Sequence, residues 1–453
     1  MDDCLPSKMA SATSAGTEGV DPFADLHPPL GKLKAMTEAS RCLYCYDAPC
    51  VRACPTAIDV PKFIHQIRSS HLAGAARTIL TANIMGGTCA RACPTEILCE
   101  QACVLNAGEG APVKIGALQR HAVDHLLAQG GPHPFKRAAA TGKHIAVVGA
   151  GPAGLACAHK AAMLGHEVTV FEARPKPGGL NEYGLAAYKM VDDFAQQEVA
   201  FLLGIGGITI EYGRRLGRDL TLEELRAGHD AVFLGVGLSK ANRLGLPGED
   251  LKGVGDALSF IAALRQAKDK TKLGVGRRVV VIGGGNTAID AAVQAKRLGA
   301  ETVTLLYRRG AQDMAATRWE QDLARTEGVV ISLWRRPLGF LGKAHVEAVR
   351  VERMMAQNGA LASTGEEEDL PAEEVLIAVG QGMERTGLEP LRVENGKLWV
   401  DDNGQTSLPG VFAGGDCIAK GADLTVQAVE DGKRAAHAIN AYLKPHASGG
   451  GYG

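Results

Sequence analysis

RCLYCYDAPCVRACPT at residues 41–56 and its echo TCARACPTEILCEQAC at residues 88–103 hold eight of the chain's eleven cysteines: Cys42, Cys45, Cys50, Cys54, Cys89, Cys93, Cys99 and Cys103. The first run spaces them C-x2-C-x4-C-x3-C-P, a close variant of the bacterial ferredoxin run in which the last cysteine ligates a second cluster. The echo repeats the C-x3-C-P ending at Cys89, Cys93 and Pro94, then adds Cys99 and Cys103. A [4Fe–4S] cube takes four corner ligands, and three near cysteines plus one distant one supply them. Two sets that exchange their last ligands tie both segments into one two-cluster domain. Zinc sites favour paired C-x2-C knuckles instead, and a disulfide framework belongs to an oxidising compartment that nothing else here suggests.

Working outward, residues 61–83 carry Phe63, Ile64, Ile67 and Leu72 at helical spacing, with His65 and His71 read as surface or packing residues rather than ligands. A second amphipathic helix follows Pro112, and GGPHPFKRAAATGK reads as a linker. Residues 1–30 lack periodicity and are expected to form a mobile leader in which Cys4 is incidental. The first residues include acids and no apolar core, so they are no signal peptide. A net charge of −1 argues against nucleic-acid or anionic-membrane binding, and no apolar run reaches membrane-span length. Thiols destined for clusters must stay reduced during assembly, which points to the cytoplasm.

At Lys143 the pattern changes to α/β. HIAVVGAGPAGLACAHKAAMLGHEVTVFEA reads strand, glycine turn, helix, strand, acid, with the fingerprint on Gly149, Gly151 and Gly154 and the acid at Glu172. Such glycines permit a tight turn, close approach of backbone N–H groups to a pyrophosphate, and close helix–strand packing; the acid can take a ribose hydroxyl. A second unit at Arg277 carries Gly283, Gly285 and Ala288, and its second strand ends in Tyr307, Arg308 and Arg309. Two such units imply two dinucleotides side by side. Residues 329–369 look like strands with an acidic turn at Glu366–Asp369. Late in the chain, Gly414, Gly415 and Asp416 follow a strand and precede a helix from about Thr425. Cys157 and Cys417 have no C-x-x-C beside them, which speaks against a disulfide reductase, and no catalytic nucleophile stands out.

GAGPAG, the second fingerprint and the late GGD together resemble the two-dinucleotide flavoproteins. With RCLYCYDAPC, ACPT, TCARACPT, LCEQAC and VKIGALQ added, the chain from about residue 30 resembles the N-terminal half of dihydropyrimidine dehydrogenase and the small subunit of glutamate synthase. The resemblance implies a multidomain fold: an α-helical two-cluster domain followed by two Rossmann-like α/β domains, the flavin domain interrupted by the nicotinamide one. The expected segments are leader 1–30, iron–sulfur domain 31–140, FAD domain 141–245 and 375–445, NAD(P)H domain 246–374, and disordered tail 446–453. It assigns Cys42, Cys45, Cys50 and Cys103 to one cluster. Cys54, Cys93, Cys99 and Gln119 go to the other, leaving Cys89 free, whereas counting alone would choose Cys89 over Gln119. Gln119 also favours the pyrimidine branch, since glutamate synthase small subunits look to have a glutamate there.

For FAD the resemblance implies Gly149, Ala150, Gly151, Pro152, Ala153, Gly154, Glu172, Gly178, Gly179, Leu180, Lys189, Gly415, Asp416 and Thr425. Lys189 stands where the dehydrogenase has an arginine. For NAD(P)H it implies Gly283, Gly284, Gly285, Asn286, Thr287, Arg308, Arg309, Ala378, Val379 and Gly380. The arginines favour a 2′-phosphate, yet NADP-using dehydrogenases have a further arginine where this chain has Ala315, and the similar bacterial two-subunit enzymes use NAD. The expectation is an NADH-oxidising subunit that passes electrons through FAD and two [4Fe–4S] clusters to an FMN and iron–sulfur partner reducing uracil or thymine. A glutamate synthase small subunit or a free-standing NAD(P)H oxidoreductase are the alternatives.

Overall fold

The protein was analysed as a computed structural model, which describes residues 21–108 and 110–444. Cys4, residues 1–20 of the leader and the tail 446–453 lie outside the described residues.

Among the described residues, six α-helices build the N-terminal domain: Lys32–Ala39, the short Pro49–Arg52, Val60–Arg68, Leu72–Ala82, Gly86–Ala92 and Ile115–Gln129. Phe63, Ile64 and Ile67 bury one stripe against Ile79 and Leu118, as their spacing implies. The expected single helical stretch is two helices. Asp59 caps the first by accepting from Lys62 N, and Ser70, at φ 59°, turns the chain before the second starts. His65 and His71 are exposed.

A five-stranded parallel sheet follows, ordered Val411–Ala413, Ala231–Leu234, His144–Val148, Glu167–Glu172, Ile208–Tyr212. Four of its strands are mostly buried apolar runs because helices cover the sheet, while the edge strand Ile208–Tyr212 is largely exposed. The chain leaves this sheet after Leu234 and returns at Val411. Between those points it forms a second parallel sheet, ordered Val254–Asp256, Glu374–Ile377, Arg278–Ile282, Thr302–Tyr307, Val330–Leu333. Lys240–Ala241 and Gln381–Gly382 pair antiparallel where the chain crosses out and back. The return therefore falls after Ile377 rather than at 375, because Glu374–Ile377 belongs to the second sheet. The short apolar run VLI fits either sheet equally well, so pattern alone misplaced it.

Two more expectations change. Glu366–Asp369 is part of strand Ala360–Pro371 in an antiparallel sheet with Arg335–Leu341 and Ala348–Gln357. Its acids face arginines across the strands, Arg350 to Asp369 at 2.8 Å and Arg353 to Glu366 at 3.1 Å. Residues 21–30 are likewise no loose leader. Phe23 is buried against Ala187 and Leu264. Leu26 N donates to Tyr188 O, Asp25 pairs with Arg120 at 2.5 Å, Arg297 donates to Pro22 O, and His27 stacks on Trp319. The segment straps all three domains together.

Candidate functional site

The turn after His144–Val148 can be built only from glycine at two points. Gly149 has φ 97°, and a Cβ there would sit 2.4 Å from Gly235 O; at Gly154 it would sit 1.9 Å from Gly149 O. Pro152 begins helix Pro152–Met163, whose N-terminus follows the turn. Glu172, buried at its strand end, accepts from Ala150 N and Arg174 N, each at 2.8 Å, and so holds the turn against the second strand. Gly178 N donates to Ala150 O at 2.7 Å. Gly179, at φ 56°, lies so near Gly151 that a Cβ would be 2.8 Å from its Cα; Leu180 opens the next helix.

The late motif closes the site from the other side. Gly415 N donates to Asp431 Oδ2 at 3.1 Å, and a Cβ at Gly415 would lie 3.0 Å from that of Ala153. Thr425 starts helix Thr425–Tyr442 and donates to Asn181 Oδ1 at 2.9 Å. Burial, reinforced by Asp423 and Asp431 against Lys397, pushes the Asp416 carboxyl up to about 6. Cys157 and Cys417 are buried with raised thiol pKa values, so neither is a reactive thiolate.

Lys189 does not join this set. Its ammonium is buried 2.7 Å from Asp290 Oδ1 and bonded to Glu320 of the second α/β domain. Burial works against the charge, but the two carboxylates outweigh it and the lysine pKa ends raised. A compact ammonium at the domain seam is drawn to paired carboxylates. Lys189 thus clamps the two α/β domains together.

The second glycine turn borders a cavity of about 650 Å³. Gly283 and Gly284 leave no room for a Cβ, which would lie 2.3 Å from Ala378 O and 2.4 Å from the Tyr307 ring; Gly285 faces open space. Thr287, Arg308, Ala378, Val379 and Gly380 also line the cavity, as does Ala315. Arg308 is exposed and forms no ion pair among the described residues. Asn286 opens helix Asn286–Arg297 with its Oδ1 buried and unpartnered, so it has an acceptor to offer. Arg309 is not in the lining; its carbonyl accepts from Trp334 N. Arg335 and Arg336 do line it and were missed by sequence reasoning, because they lie on the antiparallel sheet outside any motif.

The cysteines gather into two sets. Cys42, Cys45, Cys50 and Cys103 line one small void of about 30 Å³ walled by apolar residues. Burial, with Cys42 and Cys103 close by, pushes the Cys50 thiol up to about 11. Cys54, Cys89 and Cys99 all lie close enough to Cys93 to raise its pKa with burial. Cys89 bonds Cys93 and accepts from Asn83 Nδ2 at 3.1 Å. Gln119 spends Nε2 on Gly86 O at 2.7 Å. Among the described residues no three such side chains converge as tightly as one metal ion requires, whereas a cube holds its ligands at separate corners. The ten described cysteines are all free. The cysteines fit two cluster-binding groups; Cys89 lies in the second, while the Gln119 amide is bonded at Gly86, the opposite end of the helix that ends at Cys93.

One connection was not legible in the sequence. Asn181, held by Thr425, donates on to Met85 Sδ at 3.8 Å, and Met85 caps helix Gly86–Ala92, which ends at Cys93. Glu198 reinforces the seam by accepting from Gly87 N at 2.8 Å and Thr88 N at 3.0 Å. Burial pushes that carboxyl up to about 7. Arg91 lies 3.4 Å over the Phe194 ring while pairing with Asp124 at 2.8 Å. Among the described residues no helix is long and apolar enough to cross a membrane.

Comparison with known proteins is consistent with both halves. The family described as pyridine nucleotide–disulphide oxidoreductase matches residues 143–432, and the one described as dihydropyrimidine dehydrogenase domain II, 4Fe-4S cluster, matches residues 20–131. The glutamate synthase [NADPH] small chain of Halomonas elongata is 35% identical over 446 residues, covering 93% of this chain and 93% of that one. The NAD-dependent dihydropyrimidine dehydrogenase subunit PreT of Escherichia coli K12 is 36% identical over 421 residues, covering 93% and 97%. Mycobacterium tuberculosis FprA in complex with NADPH shares the fold, with a TM-score of 0.56 at 22% identity over 66% of this chain and 84% of that one.

Proposed function

The chain belongs to the pyridine nucleotide–disulphide oxidoreductase family, in the group of iron–sulfur flavoprotein subunits that includes glutamate synthase small chains and PreT, and on that premise we propose that it oxidises NADH and feeds the electrons to a separate pyrimidine-reducing subunit. Bound FAD supplies the change from hydride to single electrons, and two [4Fe–4S] clusters supply one-electron carriers. The protein's part is to bind, orient and connect. Gly149–Gly154 and Gly178–Leu180 present backbone to the pyrophosphate and ring, Glu172 takes the ribose, and Asp416 takes the ribityl chain. The N-terminus of helix Thr425–Tyr442 favours the negative charge a reduced flavin carries. Gly283–Thr287, Arg308 and Ala378–Gly380 hold the nicotinamide nucleotide in the neighbouring cavity.

The observation that carries the direction of flow is the Thr425–Asn181–Met85 connection, which sets the flavin residues directly against the helix that ends at Cys93. Cys54, Cys93, Cys99 and Gln119 then hold the near cluster, while Cys42, Cys45, Cys50 and Cys103 hold the outer one. Clusters beside a flavin are an exit route, so the acceptor lies on another chain. The reaction with that partner is NADH + H⁺ + uracil → NAD⁺ + 5,6-dihydrouracil, and thymine reacts likewise. The test is uracil-dependent NADH oxidation with and without an FMN and iron–sulfur partner. The chain alone is expected to reduce dyes but not uracil; uracil reduction by the isolated chain would overturn the two-subunit reading.

A second reading rests on the equal likeness to the glutamate synthase small chain, in which case co-purification returns a glutaminase-bearing chain instead. NADH is preferred over NADPH because Ala315 lines the cavity where an arginine would add a charge-assisted phosphate bond, a loss of about 1.5–3 kcal/mol. A tenfold preference for NADPH in dye reduction would reverse this.

A further inference from the structure

A cavity of about 180 Å³ lies away from both dinucleotide sites, between helices Leu72–Ala82, Pro152–Met163 and Thr425–Tyr442. It sits on the seam between the iron–sulfur domain and the flavin domain. Arg77, Lys160 and Lys433 line it, together with His159 and an apolar wall that includes Leu80, Phe135 and Met163. The three cations come from three different helices, and no local sequence pattern would bring them together.

Their partners do not balance them. Lys433 donates to Ala82 O at 2.8 Å and pairs with Glu430 at 2.6 Å. Neither Arg77 nor Lys160 forms an ion pair among the described residues; Arg77 lies 6.0 Å over the Phe135 ring. His437 faces the same two lysines and Glu430. One carboxylate thus stands against three fixed cations. Burial, aided by Lys433, pulls the Lys160 pKa down. His159 is only 3% exposed, and its Nε2 has no hydrogen-bond partner. Burial, with His133 and Lys160, holds that ring neutral, its pKa brought to about 3.

Facing cations with one carboxylate among them cost free energy unless something negative joins them. One water needs roughly 10–15 Å³, so the space admits a polyatomic ion rather than a single water or halide. We propose that this cavity is a binding site for a small oxyanion, a phosphate or a carboxylate, held by Lys160, Lys433 and Arg77. Because helix Leu72–Ala82 belongs to one domain and the other two helices to the next, the anion staples the iron–sulfur domain to the flavin domain. Its binding does not depend on the electron acceptor.

The experiment is calorimetric titration of the FAD- and cluster-loaded protein with inorganic phosphate, succinate and hexanoate, at constant ionic strength with chloride as control. Saturable one-site binding of at least one is expected. Phosphate alone identifies a phosphoryl ligand; succinate or hexanoate alone identifies a carboxylate. Lys160→Met is expected to weaken binding at least tenfold while NADH-driven dye reduction without added anion stays unchanged. Should Lys160→Met fail to fold, Arg77→Gln, at an exposed position, must weaken binding severalfold. Absence of binding by all three up to about 10 mM, or unchanged affinity in the folded variants, overturns the proposal.

Discussion

Asp416 combines two demands that pull against each other. The proposed flavin site needs an acceptor for a ribityl hydroxyl, yet burial and two neighbouring acids resist its charge and raise its pKa to about 6 from 3.8. The folded chain therefore holds an extra proton between about pH 4 and pH 6, and stability falls as pH rises through that window. In flavin-free protein, Asp416→Asn should remove this slope, adding on the order of 2 kcal/mol at pH 7.5 and little at pH 4. Denaturant unfolding at the two pH values reads it; a slope that survives the substitution refutes the assignment. FAD affinity should fall in the same variant. Gly154→Ala makes a harsher test of the cradle, because its Cβ would lie 1.9 Å from Gly149 O. Flavin absorbance per chain should drop by at least tenfold, with iron content unchanged.

At the scale of elements, helix Gly86–Ala92 is the part on which the electron path turns. It carries Cys89, ends at Cys93, is capped by Met85, and receives Gln119 Nε2 at Gly86 O. Cys89 bonds to Cys93 and Gln119 to Gly86, and mutation decides which of them is the fourth ligand. Gln119→Ala should perturb one cluster's electron paramagnetic resonance signal, while Cys89→Ser leaves both signals intact. The opposite pattern makes Cys89 the fourth ligand. Cys99→Ala should abolish partner-coupled turnover but spare flavin bleaching by NADH, since the flavin residues lie upstream. Full turnover by that variant would take the near cluster out of the path.

At the scale of the whole molecule, the domains share continuous buried apolar clusters, and charged and strapped contacts are added across the same seams. Lys189 sits between Asp290 and Glu320, Arg265 donates to the Glu182 and Met190 carbonyls, and residues 21–27 cross all three domains. Lys189→Met leaves two buried carboxylates facing each other without a cation, and should destabilise the chain by about 3–5 kcal/mol. Adding Glu320→Gln should restore part of the loss, read by thermal melting. If Lys189→Met melts like the unmodified chain, the clamp contributes nothing.

The amino-acid order by itself determined the features whose physics is local. Glycine spacing at Gly149–Gly154 and Gly283–Gly285 dictates two tight turns, since only a residue without Cβ fits there. The cysteine runs state how many ligands each segment can give. Apolar periodicity placed Phe63, Ile64 and Ile67 in a core. The tertiary structure alone decided what depends on residues far apart in the chain. Lys189 finds Glu320 across 131 positions, and Thr425 finds Asn181 across 244. Arg335 and Arg336 reach the nucleotide cavity from a sheet with no motif, and the segment from Asp21 is fixed by domains that follow it. A spacing rule encodes the geometry of one turn, helix or strand; which distant side chains then share a buried space is settled by how those elements pack, where a charge must find its counter-charge or stay in water.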